Sequence, residues 1–241
     1  MKSTAAFMIM MAASGTASAN ISAMIFEITA TDEVSGASAS ATYFLDASRI
    51  DNNGNYNWEL PEAVTFEDQG IELGGLNTAS VSIAADPVIA VDFNVFATAQ
   101  NTSFQVNSAV LTFDTISASN AQAVASAAVT LQDFNGDGVV FTPGSQGAYN
   151  AFFNNGTSLF TDLFPSGSQL TGAGFSNPSF AADSGGFVPA GIDISSISAA
   201  WDFTLSAGDL ATGSSVFEVI PAPSTAALLG LGGLAAARRR R

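Results

Sequence analysis

Ile197-Ser198-Ala199-Ala200-Trp201-Asp202-Phe203-Thr204-Leu205 is the stretch that decides how this chain folds. Ile197, Ala199, Trp201, Phe203 and Leu205 alternate with Ser198, Ala200, Asp202 and Thr204, and a period of two sends alternate side chains to opposite faces of an extended strand. One face is wholly apolar, so the segment predicts a half-buried strand. Ile89, Val91, Phe93 and Val95 repeat the pattern against Ala90, Asp92 and Asn94. Working outward, weaker strand patterns occupy residues 23–29, 40–46, 78–84, 103–113, 123–132, 139–142 and 214–219, bounded by turns of Gly, Asn, Asp, Ser and Pro. Many short strands at this spacing predict an all-β chain, an antiparallel β-sandwich or jelly-roll. No solenoid or propeller period recurs.

Residues 143–196 break the alternation. They hold four of the six prolines found between residues 20 and 220, with Tyr149, Phe152, Phe153, Phe160, Leu163 and Phe164 clustered in the first half. A short helix or a packed loop over one end of the sandwich fits those aromatics. Residues 167–191 read as a long surface loop, a common carrier of binding sites.

Composition narrows the chemistry. Residues 20–220 contain all 21 acidic residues of the chain and one base, Arg49, a formal charge of −20 against −15 for the whole sequence. Nucleic acid and anionic lipid are repelled by such a surface, and solubility in an exposed environment is its simplest consequence. The segment is long enough to bury one core without disulfides, and the chain has no cysteine. It also has no histidine, which removes serine–histidine catalysis, the usual near-neutral general base and imidazole metal ligation; the missing cysteine removes thiol nucleophiles. Acid pairs remain, Glu59 with Glu62 and Glu67 with Asp68, and leave a paired-carboxylate glycosidase formally open. Exposed acids in turns account for them better, so no catalytic residue is expected.

The most pointed local motif is Asp133-Phe134-Asn135-Gly136-Asp137-Gly138. Oxygen-bearing side chains at positions one, three and five, with glycine at six, match the first half of a calcium loop, which makes Asp133, Asn135 and Asp137 candidate ligands. The twelfth position is Gly144, where that loop needs a bidentate glutamate, and no helix-forming run flanks it. A β-hairpin turn joining residues 129–132 to 139–141 is therefore the favoured reading. No cofactor is expected, with calcium as the alternative. Asp51-Asn52-Asn53-Gly54-Asn55 is a weaker case of the same kind. Tyr43, Tyr56 and Trp58 are candidates for a sugar-stacking platform, although aromatics at strand positions are more often core.

Both ends read as addresses. Lys2, an apolar run over residues 5–13 and the Ala17-Ser18-Ala19 cleavage pattern describe a secretory signal over residues 1–19, cut by signal peptidase after Ala19. At the other end, Pro221-Ala222-Pro223-Ser224 leads into thirteen small or apolar residues and then Arg238, Arg239, Arg240 and Arg241, a charge cluster suited to cytoplasmic retention. Thirteen helical residues cover about 20 Å, short of the roughly 30 Å hydrocarbon core, so this hydrophobic helix holds the membrane only transiently. Residues 221–241 resemble the PEP-CTERM sorting signal of bacterial exported proteins, with Ala222 in place of the central glutamate. The resemblance implies an exosortase, a membrane-embedded cysteine protease, that removes the tail and passes the protein toward the cell surface or exopolysaccharide matrix. It covers about a tenth of the chain and is silent on residues 20–220.

The expectation is a non-enzymatic surface or extracellular-matrix protein, with signal peptidase and an exosortase-type protease as processing partners and exopolysaccharide as a possible surrounding. A carbohydrate-binding or adhesive module, calcium-assisted or not, is the alternative; a polysaccharide hydrolase is a distant third.

Overall fold

The computed structural model describes residues 20–221. The expected signal peptide with Ala17 and Ala19, and the tail from Ala222, Pro223 and Ser224 to Arg238–Arg241, with its expected hydrophobic helix, lie outside the described residues. The chain runs through β1 (Asn20–Ile21), β2 (Met24–Asp32), β3 (Ser38–Phe44), β4 (Tyr56–Glu59), β5 (Val64–Asp68), β6 (Ile71–Ala84), β7 (Val88–Ala97), β8 (Thr102–Ser108), β9 (Leu111–Ile116), β10 (Ala121–Asp133), β11 (Val139–Pro143), β12 (Tyr149–Phe153), β13 (Ser158–Leu163), β14 (Leu170–Gly172), β15 (Ser179–Asp183), β16 (Val188–Pro189), β17 (Ile194–Leu205) and β18 (Asp209–Pro221). Among the described residues no helix is long and apolar enough to cross a membrane.

These strands form two antiparallel sheets packed as a sandwich, the architecture that the alternating segments predict. The first sheet is organised on β17, which pairs along one edge with β9 and β8 and along the other with β12 and β11. β8 leads on to β2 and β3. The second sheet runs β15-β10-β18-β7-β6-β4, with β16 also on β10 and β5 also on β6. Its backbone is the β10–β18 ladder, thirteen residue pairs from Ala121↔Pro221 to Asp133↔Asp209.

The core lies between the sheets. Ile197, Ala199, Trp201, Phe203 and Leu205 of β17 all point inward, as do Ile89, Val91, Phe93 and Val95 of β7. Phe93 from the second sheet meets Trp201 edge-on at 5.3 Å and stacks on Phe203 at 5.8 Å, both from the first. Gly213 makes room for that ring: a Cβ there would stand 2.3 Å from Phe93. The Trp201 indole Nε1–H donates to Ser215 Oγ across the sheets at 3.1 Å, so the one polar atom of the largest buried side chain is satisfied. Burying each such ring contributes about 4–6 kcal/mol before entropic costs are set against it.

Several finer expectations are corrected. Residues 103–113 form two strands, β8 and β9, because the alternation changes phase at Ser108 and Ala109, where consecutive residues are both buried. Ser108 Oγ accepts the Ala199 N–H at that jog, at 2.8 Å. The aromatics of residues 143–164 form the β12–β13 hairpin rather than a helix or loop, and Phe153 and Phe160 reach Phe217 of the opposite sheet at 5.6 and 5.5 Å. The expected loop at 167–191 contains β14, β15 and β16, short strands laid along β11 and β10.

Trp201→Ala is expected to cost about 3–5 kcal/mol of unfolding free energy, the range for truncating a buried large aromatic. Asp202→Ala, on the half-buried opposite face where burial and then the Glu33 charge raise the carboxyl pKa, should cost far less. Chemical denaturation of both variants checks this; equal effects would refute the assigned facing of β17.

Candidate metal centre

β10 ends at Asp133 and β11 begins at Val139, but the two strands do not pair: β10 belongs to the second sheet and β11 to the first. Residues 133–138 are thus a crossover between sheets and not the favoured hairpin turn. Such a corner strips backbone N–H groups of ladder partners, and here a side chain replaces them. Asp133 Oδ1 accepts the N–H groups of Asn135 at 3.0 Å and Gly136 at 2.7 Å; Oδ2 accepts those of Gly138 and Phe175, both at 2.9 Å. Burial would raise the Asp133 pKa, but these four donors outweigh it and hold the carboxyl below its ordinary value. Gly136 adopts a φ of +87°, in the left-handed region that favours glycine.

Asn135 is used in the same frame. Its Oδ1 accepts the Asp137 N–H at 3.0 Å, and its Nδ2 donates to the Ala207 carbonyl at 3.0 Å in the turn between β17 and β18. That turn delivers Asp209, which stands opposite Asp133 in the β10–β18 register. One carboxylate oxygen from each of Asp133, Asp137 and Asp209 lies within 4.8 Å of the other two. Asp133 is 2% exposed, Asp209 0%, and Asp137 faces solvent.

Asp209 is the strained member. Ser206 Oγ–H donates to its Oδ2, while Oδ1 is enclosed with no hydrogen-bond partner. Burial, opposed by the Ser206 donor and more weakly by the Phe134 backbone N–H and reinforced by the Asp133 and Asp137 charges, pushes its pKa up to about 6. Sequence reasoning singled out Asp133, Asn135 and Asp137 and missed Asp209. No local signal marks it, since it is brought in by the strand pairing from more than seventy residues away.

The other sequence candidates fall elsewhere. Tyr56 and Trp58 are buried, and Tyr43 is half-buried with its ring 4.7 Å from Trp58, which itself stacks on Phe26. These aromatics are core and present no sugar platform. Asp51 closes a simple turn by accepting the N–H groups of Asn53 and Asn55, both at 2.8 Å. Glu59, Glu62 and Glu67 are exposed, and Asp68 accepts the Ser38 N–H at 3.2 Å. Of the sorting motif, Pro221 is described, as the last residue of β18.

The chain matches no protein-family model, and no curated protein matches it. Among solved structures it is similar to a chain of the infectious bursal disease virus Gx strain, at 10% identity and a TM-score of 0.27, with 88% of this chain covered and about 59% of the viral chain spanned. A chain of the Gt strain of that virus is similar at 12% identity and a TM-score of 0.12, over 83% of this chain and 66% of its own. Likenesses this distant carry no functional argument.

With divalent cations removed, Asp133→Ala is expected to lower the thermal midpoint far more than Asp137→Ala, because only the first leaves four backbone donors without their acceptor. Equal shifts in differential scanning fluorimetry would refute the role given to Asp133.

Proposed function

We propose that this is an exported, non-enzymatic protein of the cell surface or extracellular matrix, trimmed at both ends on its way out. The observation that carries the reading is the pair of sequence signals themselves: Lys2, the apolar run over residues 5–13 and Ala17-Ser18-Ala19 at one end, and Pro221-Ala222-Pro223-Ser224, the apolar stretch and Arg238–Arg241 at the other. Between them lies the sandwich, described over residues 20–221. Asn20 pairs with Thr112, and Pro221 with Ala121. Residues 221–241 then act as a membrane-retained handle for an exosortase-type protease, with Arg238–Arg241 holding the cytoplasmic end until the tail is removed.

The acidic body suits that setting. A charge of −20 over residues 20–220 disfavours self-association and adsorption to anionic lipid, which favours release to the surface or exopolysaccharide matrix once the tail is gone. The burial of Tyr56 and Trp58 withdraws the aromatic row on which a carbohydrate-binding reading would rest.

Intact-mass measurement of the protein released from its native host is expected to show a species that starts near Asn20 and lacks Arg238–Arg241. A stable cell-associated form that keeps the arginines would refute processing and favour a permanent anchor.

A further inference from the structure

The geometry points to a calcium-class cation site between Asp137 and Asp209 that locks the sheet-to-sheet crossover to the turn that opens β18. Asp209 carries the inference. Its side chain is fully enclosed, its Oδ1 meets no donor, and the nearest charges are two further carboxylates. A buried carboxylate oxygen without a donor is costly, and neighbouring negative charge makes it more so. A single cation held between Asp137 and Asp209, with the Asp133 charge beside it, offsets the repulsion and gives the enclosed carboxylate a counter-charge.

The dimensions agree. Calcium bonds oxygen at about 2.3–2.6 Å, so oxygens around one ion are at most about 5 Å apart, and the three acids offer oxygens within 4.8 Å of one another. Asp133, whose two oxygens each already accept two N–H groups, acts mainly as the frame of the loop and as an adjacent charge. Asp137 approaches from the solvent side and Asp209 from the interior, and water completes the shell. Ligation by carboxylate oxygens and water alone favours calcium over a transition metal.

Bound there, the ion joins three segments distant in sequence: residues 133–138, the turn at 206–209, and the loop whose Phe175 N–H rests on Asp133. This goes beyond the export reading and does not depend on it. Two protein carboxylates with water ligands suit weak binding, about 10⁻⁴–10⁻³ M, the range of extracellular calcium modules.

The test uses the purified full chain stripped with EGTA, followed by thermal melts against CaCl2 and against MgCl2 at matched ionic strength. The expected result is a saturable calcium-specific rise in the midpoint that is lost in Asp137→Asn and in Asp209→Asn. In EGTA, Asp209→Asn should melt above the unmodified protein, because it removes the enclosed charge, and in saturating calcium it should melt below it. Equal, non-saturating shifts with both ions would mean that the salts only screen the −20 charge and would overturn the site. A calcium-specific rise that survives Asp209→Asn would overturn it as well. Should Asp209→Asn not fold, calorimetric titration decides: one calcium per chain, lost in the exposed Asp137→Asn variant, supports the site, and retention of that calcium refutes it.

Discussion

The rest of the structure depends on one contact between the sheets, the Phe93 ring held against Trp201 and Phe203. Two sheets of short strands have no covalent link here, since the chain has no cysteine, and neither sheet can keep its apolar face in water. The contact fixes their separation and register. It works because Gly213 withdraws a side chain from the path of Phe93 and because Ser215 answers the indole N–H of Trp201. With those two positions set, β18 and β7 are locked to β17, and the outer strands follow by pairing.

Crossing from one sheet to the other raises a second problem, which the chain solves with acids. The backbone that turns away from β10 toward β11 loses its ladder partners, and the carboxylate of Asp133 takes over four of its N–H groups. The same corner then receives Asp209 from the next long strand, so a solution for the backbone becomes a concentration of enclosed negative charge. Within a protein already carrying 21 acids, the distinction that matters is between carboxylates spread over the surface and the one with an enclosed oxygen that has no hydrogen-bond partner. The first kind keeps the protein soluble. The second calls for a counter-charge.

The proposed biological role comes from a different part of the chain. The sandwich occupies the described residues, 20–221, whereas the proposal of export and trimming rests on the sequences at the two ends of the chain.

The sequence by itself determined the strands with strong alternation. Ile197 to Leu205 and Ile89 to Val95 could be assigned, with the correct inward faces, because period-two patterning is local and reports burial directly. The all-β sandwich followed from their number and spacing, and the loop-forming spacing of Asp133, Asn135 and Asp137 was visible for the same reason. Other features needed the tertiary structure. The short strands between residues 149 and 189 carry prolines, glycines and runs of consecutive aromatics, so their extended form comes from pairing with β17, β10 and β11 and not from any period of their own. Tyr56 and Trp58 could have faced either side, and packing on Phe26 decided it. Residues 133–138 read as a hairpin because adjacent strands usually pair, whereas the sheet to which a strand belongs is set by contacts distant in sequence. Asp209 joined the acidic corner through the β10–β18 ladder, and an approach made by hydrogen bonding between segments more than seventy residues apart leaves no trace in either segment alone.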